Sequence, residues 1–140
     1  MILRTHEWPA TLDVPALLES GFRPRPFQQF VLKLTARCDL ACDYCYVFEL
    51  ADQGWRTRPP RMSPDVVRRA THRIAEHTRT HGLDDVDVVL HGGEPLLYGA
   101  DGIADVATTL RAALPTEVRA DLRLQTNGVR LDTTMLRALA

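Results

Sequence analysis

The sequence predicts an α/β fold built on a parallel sheet. Three observations carry this reading. Short apolar stretches of strand character recur three times, each is followed by a stretch of helical periodicity, and the three least ordinary loops all directly follow the strands. Strand–helix alternation of this kind folds with right-handed crossovers. Functional groups in such sheets gather on the loops that leave the strands' carboxyl ends.

Residues 1–26 read as a lead-in. Asp13 is placed to cap a short helix running to Glu19, with Pro15 in its first turn and Gly21 just past its end. Pro9, Pro24 and Pro26 keep the rest of the lead-in extended or irregular. From residue 27 to residue 140 the amphipathic pattern is continuous.

Phe30, Leu32 and Leu34 alternate with Val31, Lys33 and Thr35, which predicts the first strand. The loop ARCDLACDYCYVF follows. Residues 49–62 are polar and contain Pro59 and Pro60, so they form a connection. Ser63-Pro64-Asp65 is a helix start: a hydroxyl cap, a proline in the first position and an acid in the first turn. Val67, Ala70, Ile74 and Thr78 share one face of that helix, and Gly82 ends it. Val86, Val88, Val89 and Leu90 form the second strand, interrupted by HGGEP. Ile103, Val106, Ala107, Leu110 and Leu114 are spaced for the next helix, closed by Pro115. Leu122, Leu124 and Thr126 alternate with Arg123 and Gln125 in a third strand that stops at Asn127-Gly128. Asp132 can cap a last helix carrying Met135, Leu136 and Leu139.

The chain has 140 residues, room for one ordinary domain and not two. It is 45% hydrophobic and 25% charged, a balance that excludes a wholly disordered chain. With 17 basic against 18 acidic residues, the net charge of -1 argues against a broad electrostatic grip on nucleic acid or on an anionic membrane. No apolar run approaches the roughly 20 residues of a bilayer span. The opening MILRTHEWPATLD has no apolar core suited to a secretory signal. Three cysteines close together do not suit a disulfide-stapled secreted domain, and the expected location is the cytoplasm.

Cys38, Cys42 and Cys45 have the spacing C-x3-C-x2-C. Three thiolates within eight residues of one loop can converge on one metal centre. A cubane iron–sulfur cluster held by three cysteines leaves its fourth iron open to a small molecule. Two other readings stand beside this one. A structural zinc site would need four closed ligands, with His91 as the fourth, but a second C-x2-C pair is lacking. Thiols without metal would pack like small apolar residues, yet Asp39 and Asp43 make the loop too polar for a core.

His91-Gly92-Gly93-Glu94-Pro95 directly follows the second strand. Paired glycines open backbone conformations closed to other residues and let a ligand approach the main chain. Pro95 fixes the exit direction. The Glu94 carboxylate and the peptide groups freed at the strand end suit a ligand bearing an ammonium group. An ordinary strand-to-helix turn is the plainer alternative. The loop matches neither GxGxxG nor a Walker loop, so phosphate binding has little support.

These residues resemble a known family. CDLACDYC is similar to the C-x3-C-x-aromatic-C motif of radical S-adenosylmethionine (SAM) enzymes, with Tyr44 as the aromatic. HGGEPLL resembles their glycine-rich SAM motif, and LQTNG the third-strand ending of a subgroup that includes anaerobic sulfatase-maturating enzymes and peptide maturases. The segments EWPATLDVPALLESGFRPRPFQQFVLKLTARC and YVFELADQGWRTRPPRMS look most like the FxsB group, which matures ribosomally made peptides.

The resemblance implies that Cys38, Cys42 and Cys45 ligate a [4Fe–4S] cluster whose open iron takes the amino and carboxylate groups of SAM. It implies that Gly92, Gly93 and Glu94 hold the SAM ammonium while Pro95 shapes the loop. The main chain beside Tyr44 would contact adenine, and Gln125 and Asn127 would line the cofactor or substrate cavity. Given one electron from an external donor, SAM would yield methionine and a 5′-deoxyadenosyl radical, which would take a hydrogen atom from a precursor peptide or protein substrate.

The family's core is a partial barrel of six β/α units, and this chain shows the first three, over residues 27–140. The expectation is an N-terminal portion of a longer enzyme or a truncated product, since no cysteine follows Cys45 and the helical pattern MLRALA has no capping glycine. Three parallel strands alone would leave an unpaired edge and an uncovered face, hence weak stability and little turnover. The alternative function is a non-catalytic, truncated iron–sulfur or zinc-binding module. His72, His77 and His81 on or beside the long helix, and Arg56, Arg58 and Arg61 before it, read as solvated groups, and Trp8 and Trp55 as packing groups.

Overall fold

The computed structural model describes residues 12–139. It contains three strands, β1 (Gln29–Lys33), β2 (Asp85–His91) and β3 (Arg119–Leu124), and four helices, α1 (Val14–Glu19), α2 (Pro64–His81), α3 (Ala100–Ala113) and α4 (Thr133–Leu139). The strands form one parallel sheet in the order β1-β2-β3. In register, Leu32 pairs with Leu90, and Val88 with Leu122. The α/β class, the parallel sheet and the element order match the expectation.

The helix signals act through the predicted groups. Asp13 Oδ1 accepts from Ala16 N at 3.0 Å, and Gly21 follows with φ 92°. Ser63 Oγ accepts from Val66 N at 3.3 Å. Gly82 ends α2 in the left-handed region (φ 58°), which turns Leu83 N back onto Thr78 O at 3.0 Å. Asp132 Oδ1 caps α4 by accepting from Met135 N at 2.7 Å. Trp8 lies outside the described residues.

Alternation decides which face is buried. Val86, Val88 and Leu90 of β2, Leu32 of β1 and Leu34 just past it are buried against Val67, Ile74 and Ala75 of α2 and Ile103, Val106 and Leu110 of α3. The opposite face is open and polar. Val31 is exposed there, and Arg123 meets Asp87 at 2.9 Å. The predicted uncovered face is therefore present among the described residues.

Three features depart from the expectation. Regular β3 ends at Leu124; Gln125 N still reaches Leu90 O at 3.0 Å, and Thr126 then turns toward Glu94. Short 3-10 turns form at Gly54–Thr57 and Pro95–Tyr98. The connection before α2 is no loose loop: Ala36 N donates to Pro60 O at 2.9 Å and Met62 N to Leu34 O at 2.8 Å, extending the edge of β1. Arg61 of this stretch is committed to the Leu97 carbonyl and lies over the Tyr98 ring, and Arg56 lies over Trp55. His77 Nε2 lies 3.0 Å from Phe27 O, and the His77 and His81 rings are 4.4 Å apart. Among the described residues no helix is long and apolar enough to cross a membrane.

Candidate functional site

β1 delivers the chain into the cysteine loop through Thr35, which is 2% exposed. Arg37 anchors the loop's base, donating to Trp55 O at 3.0 Å and lying 5.3 Å from the Trp55 ring centroid. Phe48 closes the far side, buried edge-on against Trp55. Between these anchors Cys38, Cys42 and Cys45 are free, partly exposed thiols. Cys45 N donates to Cys42 O at 2.9 Å, so the second and third cysteines share one turn. Tyr44, between them, is 83% exposed.

Among the described residues no three His, Cys, Asp or Glu side chains are gathered to hold a single metal ion. The expected fourth zinc ligand is also engaged locally, since His91 Nδ1 accepts from Gly92 N at 2.7 Å. A cubane spreads its ligands over three irons, so its thiolates stand farther apart than the ligands of one ion. An all-thiolate set on an open loop fits such a cluster better than a closed zinc site.

The glycine loop is packed directly against the base of the cysteine loop. Gly93 N donates to Thr35 O at 3.1 Å, Glu94 N to Arg37 O at 2.9 Å, and Thr35 Oγ1 to Glu94 O at 3.0 Å. A Cβ on Gly92 would stand 2.6 Å from Thr35 Oγ1 and 2.7 Å from Thr35 O. One on Gly93 would run into the Arg37 carbonyl and lie 2.8 Å from Phe48 Cε2. Neither glycine has a positive φ. The sequence-based reason for the pair, unusual dihedrals, is therefore corrected: close approach by the chain's own backbone excludes side chains here. Among the described residues, no hydrogen bond reaches the carbonyl oxygens of Gly92 and Gly93.

Glu94 departs further from expectation. Its residue is fully buried. Oε1 accepts from Leu96 N at 2.8 Å and Thr126 Oγ1 at 2.7 Å, and Oε2 accepts from Asn127 N at 2.8 Å. A buried carboxylate requires such partners. The side chain is thus a tie between the loops after β2 and β3, and what Glu94's neighbours leave for a ligand is main chain. Pro95 opens the 3-10 turn Pro95–Tyr98.

The third loop reaches the first. Asn127 Nδ2 donates to Asp39 Oδ1 at 2.9 Å and lies 4.0 Å from Cys38 Sγ, and Arg130 Nε donates to Asp39 Oδ2 at 2.7 Å. The Asn127 hydrogen bond, with Arg130 behind it, holds the Asp39 carboxyl below its ordinary value against the pull of desolvation. Gln125 is exposed, and the described hydrogen bonds do not bring its side chain into this cluster. Sequence reasoning missed Thr35, Asp39, Thr126 and Arg130 as site-building groups. Their roles depend on contacts between segments 32 to 91 residues apart, which periodicity does not encode.

Two hollows are present, the first lined in part by Ala36, Tyr46 and Val47 of the cysteine loop. One of about 720 Å³ borders Tyr46, Trp55, Arg58 and Met62, and one of about 800 Å³ lies between the start of α2 and α3.

A family model described as the radical SAM superfamily matches residues 32–140. A solved structure described as native anSMEcpe with bound AdoMet and Cp18Cys peptide, an anaerobic sulfatase-maturating enzyme, is similar in fold. The TM-score is 0.61 at 21% identity, over 79% of this chain and 27% of that one. Comparison with curated protein sequences gives no match. The chain thus spans about a quarter of the sulfatase-maturating enzyme's length, and the shared fold is a part of a barrel. With the match running from β1 to the last described helix, the chain belongs to the radical SAM superfamily, whose members use a [4Fe–4S] cluster and SAM.

Proposed function

We propose that this chain is the cofactor-binding part of a radical SAM enzyme that modifies a ribosomally made precursor peptide. The observation that carries the proposal is the joining of three loops at the carboxyl ends of β1, β2 and β3: the loop of free thiols is bonded at its base to the glycine loop, and both are bonded to the loop after β3. Cys38, Cys42 and Cys45 would hold the cluster as thiolates. The carbonyl oxygens of Gly92 and Gly93 would accept the SAM ammonium, with Glu94 fixing their position from behind. The main chain beside Tyr44 would meet the adenine. Asn127, next to Cys38, and Gln125, on the open face, would line the cofactor or substrate cavity. Bound together, cluster and SAM supply one-electron cleavage of the sulfonium and hence a radical able to take a hydrogen atom from substrate. The electron would come from an external donor.

The peptide substrate is supported by the peptide bound in the sulfatase-maturating enzyme of like fold, and the FxsB-type assignment by the sequence flanking the cysteines. A second reading, a non-catalytic metal-binding module, draws on the open sheet face. Anaerobic reconstitution with iron and sulfide separates the two. The proposal expects a brown protein whose reduced-cluster EPR signal changes when SAM is added. A colourless zinc-loaded protein, or a cluster signal indifferent to SAM, would sink it.

A further inference from the structure

We infer that the three cysteines are not equally preorganised: Asp39, gripped by Asn127 and Arg130, presets Cys38, whereas Cys42 and Cys45, in the turn between the loop's two anchors, are ordered by the cluster itself. The inference rests on the reading of the cysteines as cluster ligands and adds positioning residues to it.

Asp39 directly follows Cys38, and both its carboxylate oxygens are taken from a single remote segment. Asn127 occupies Oδ1 and Arg130 occupies Oδ2. That segment is itself held. Asn127 N is bonded to the buried Glu94 carboxylate, and Asn127 Oδ1 accepts from Val129 N at 3.0 Å, so its amide cannot rotate without losing bonds at both ends. A continuous chain of hydrogen bonds thus runs from the core, through Glu94, Asn127 and Asp39, to the first cysteine. Linked bonds of this kind hold geometry better than an isolated surface ion pair. Among the described residues nothing comparable reaches the other two cysteines. Among the described residues, the hydrogen bonds of Cys42 and Cys45 stay within the loop, to each other and to Glu49, and their neighbours Leu40, Tyr44 and Tyr46 are exposed. Remote partners that orient a metal-binding residue act on affinity and on the metal's properties.

The test is the alkylation rate of each cysteine in the metal-free chain, resolved by mass spectrometry, in wild type, Arg130→Met and Arg130→Gln. In wild type Cys38 reacts more slowly than Cys42 and Cys45. Releasing Asp39 should raise the Cys38 rate by roughly three- to tenfold and leave the other two unchanged. A charge effect alone predicts the opposite sign, because removing a cation disfavours the thiolate and slows alkylation. Arg130→Lys, which keeps the charge without the planar fork, should fall between. An unchanged or slower Cys38 in both variants, or an equal rise at all three cysteines, would overturn the inference. A wild-type chain that takes up no cluster would instead defeat the proposed function, while the alkylation pattern still reports on the clasp.

Discussion

The buried carboxylate of Glu94 accepts the main-chain amide of Asn127 at 2.8 Å, tying the loop after β2 to the loop after β3. The same group takes Thr126 Oγ1 and Leu96 N, so three donors converge on one side chain. Glu94→Gln replaces an acceptor with a donor facing those donors. It should destabilise the metal-free chain by about 1–3 kcal/mol. A thermal melt checks this, and a melting temperature equal to wild type would show that the tie contributes nothing.

Gly93→Ala should act on the cysteine loop rather than on the glycine loop alone. Its Cβ has no space against the Arg37 carbonyl and Phe48. The strand-to-loop junction before Cys38 must move, and iron uptake on anaerobic reconstitution should drop severalfold. Gly82→Ala is the contrast. Its Cβ meets nothing, but the residue sits at φ 58°, so it should lose about 1–2 kcal/mol of stability and keep its iron content.

Each of Cys38→Ala, Cys42→Ala and Cys45→Ala should abolish stable cluster retention, read as iron per chain after desalting. The melting temperature of the metal-free chain should barely change, because none of the three thiols is in the core.

Tyr98 gives a pH signature. Its hydroxyl donates to Met62 O at 2.8 Å, and burial raises its pKa above the ordinary value of 10.0. The folded chain therefore favours the neutral phenol. This contribution to stability is complete below pH 10 and is lost as the pH rises past the ordinary value, where only the unfolded chain ionises freely. Tyr98→Phe should be less stable at neutral pH, by about 1 kcal/mol for the lost hydrogen bond. It should also show a flatter decline in alkaline melts. Parallel curves for the two proteins would contradict this.

Leu90→Ala removes a side chain 1% exposed at the centre of the sheet. A loss of about 2–5 kcal/mol is expected. With one sheet face open, that is enough to leave the isolated chain largely unfolded by circular dichroism at room temperature.

The sequence by itself determined the order of strands and helices, the caps at Asp13, Ser63, Gly82 and Asp132, the buried face of the sheet and the three cysteines on one loop. These features are local: a cap or an alternation is written in residues within one or two turns of each other. Only the tertiary structure decided that Glu94 spends its carboxylate inside the protein. The same holds for the glycine pair, required by the approach of Thr35 and Arg37, and for Asp39, joined to Arg130 across 91 residues. Such pairings arise because parallel strands bring the same ends of distant segments together, and no spacing along the chain records which side chains then meet.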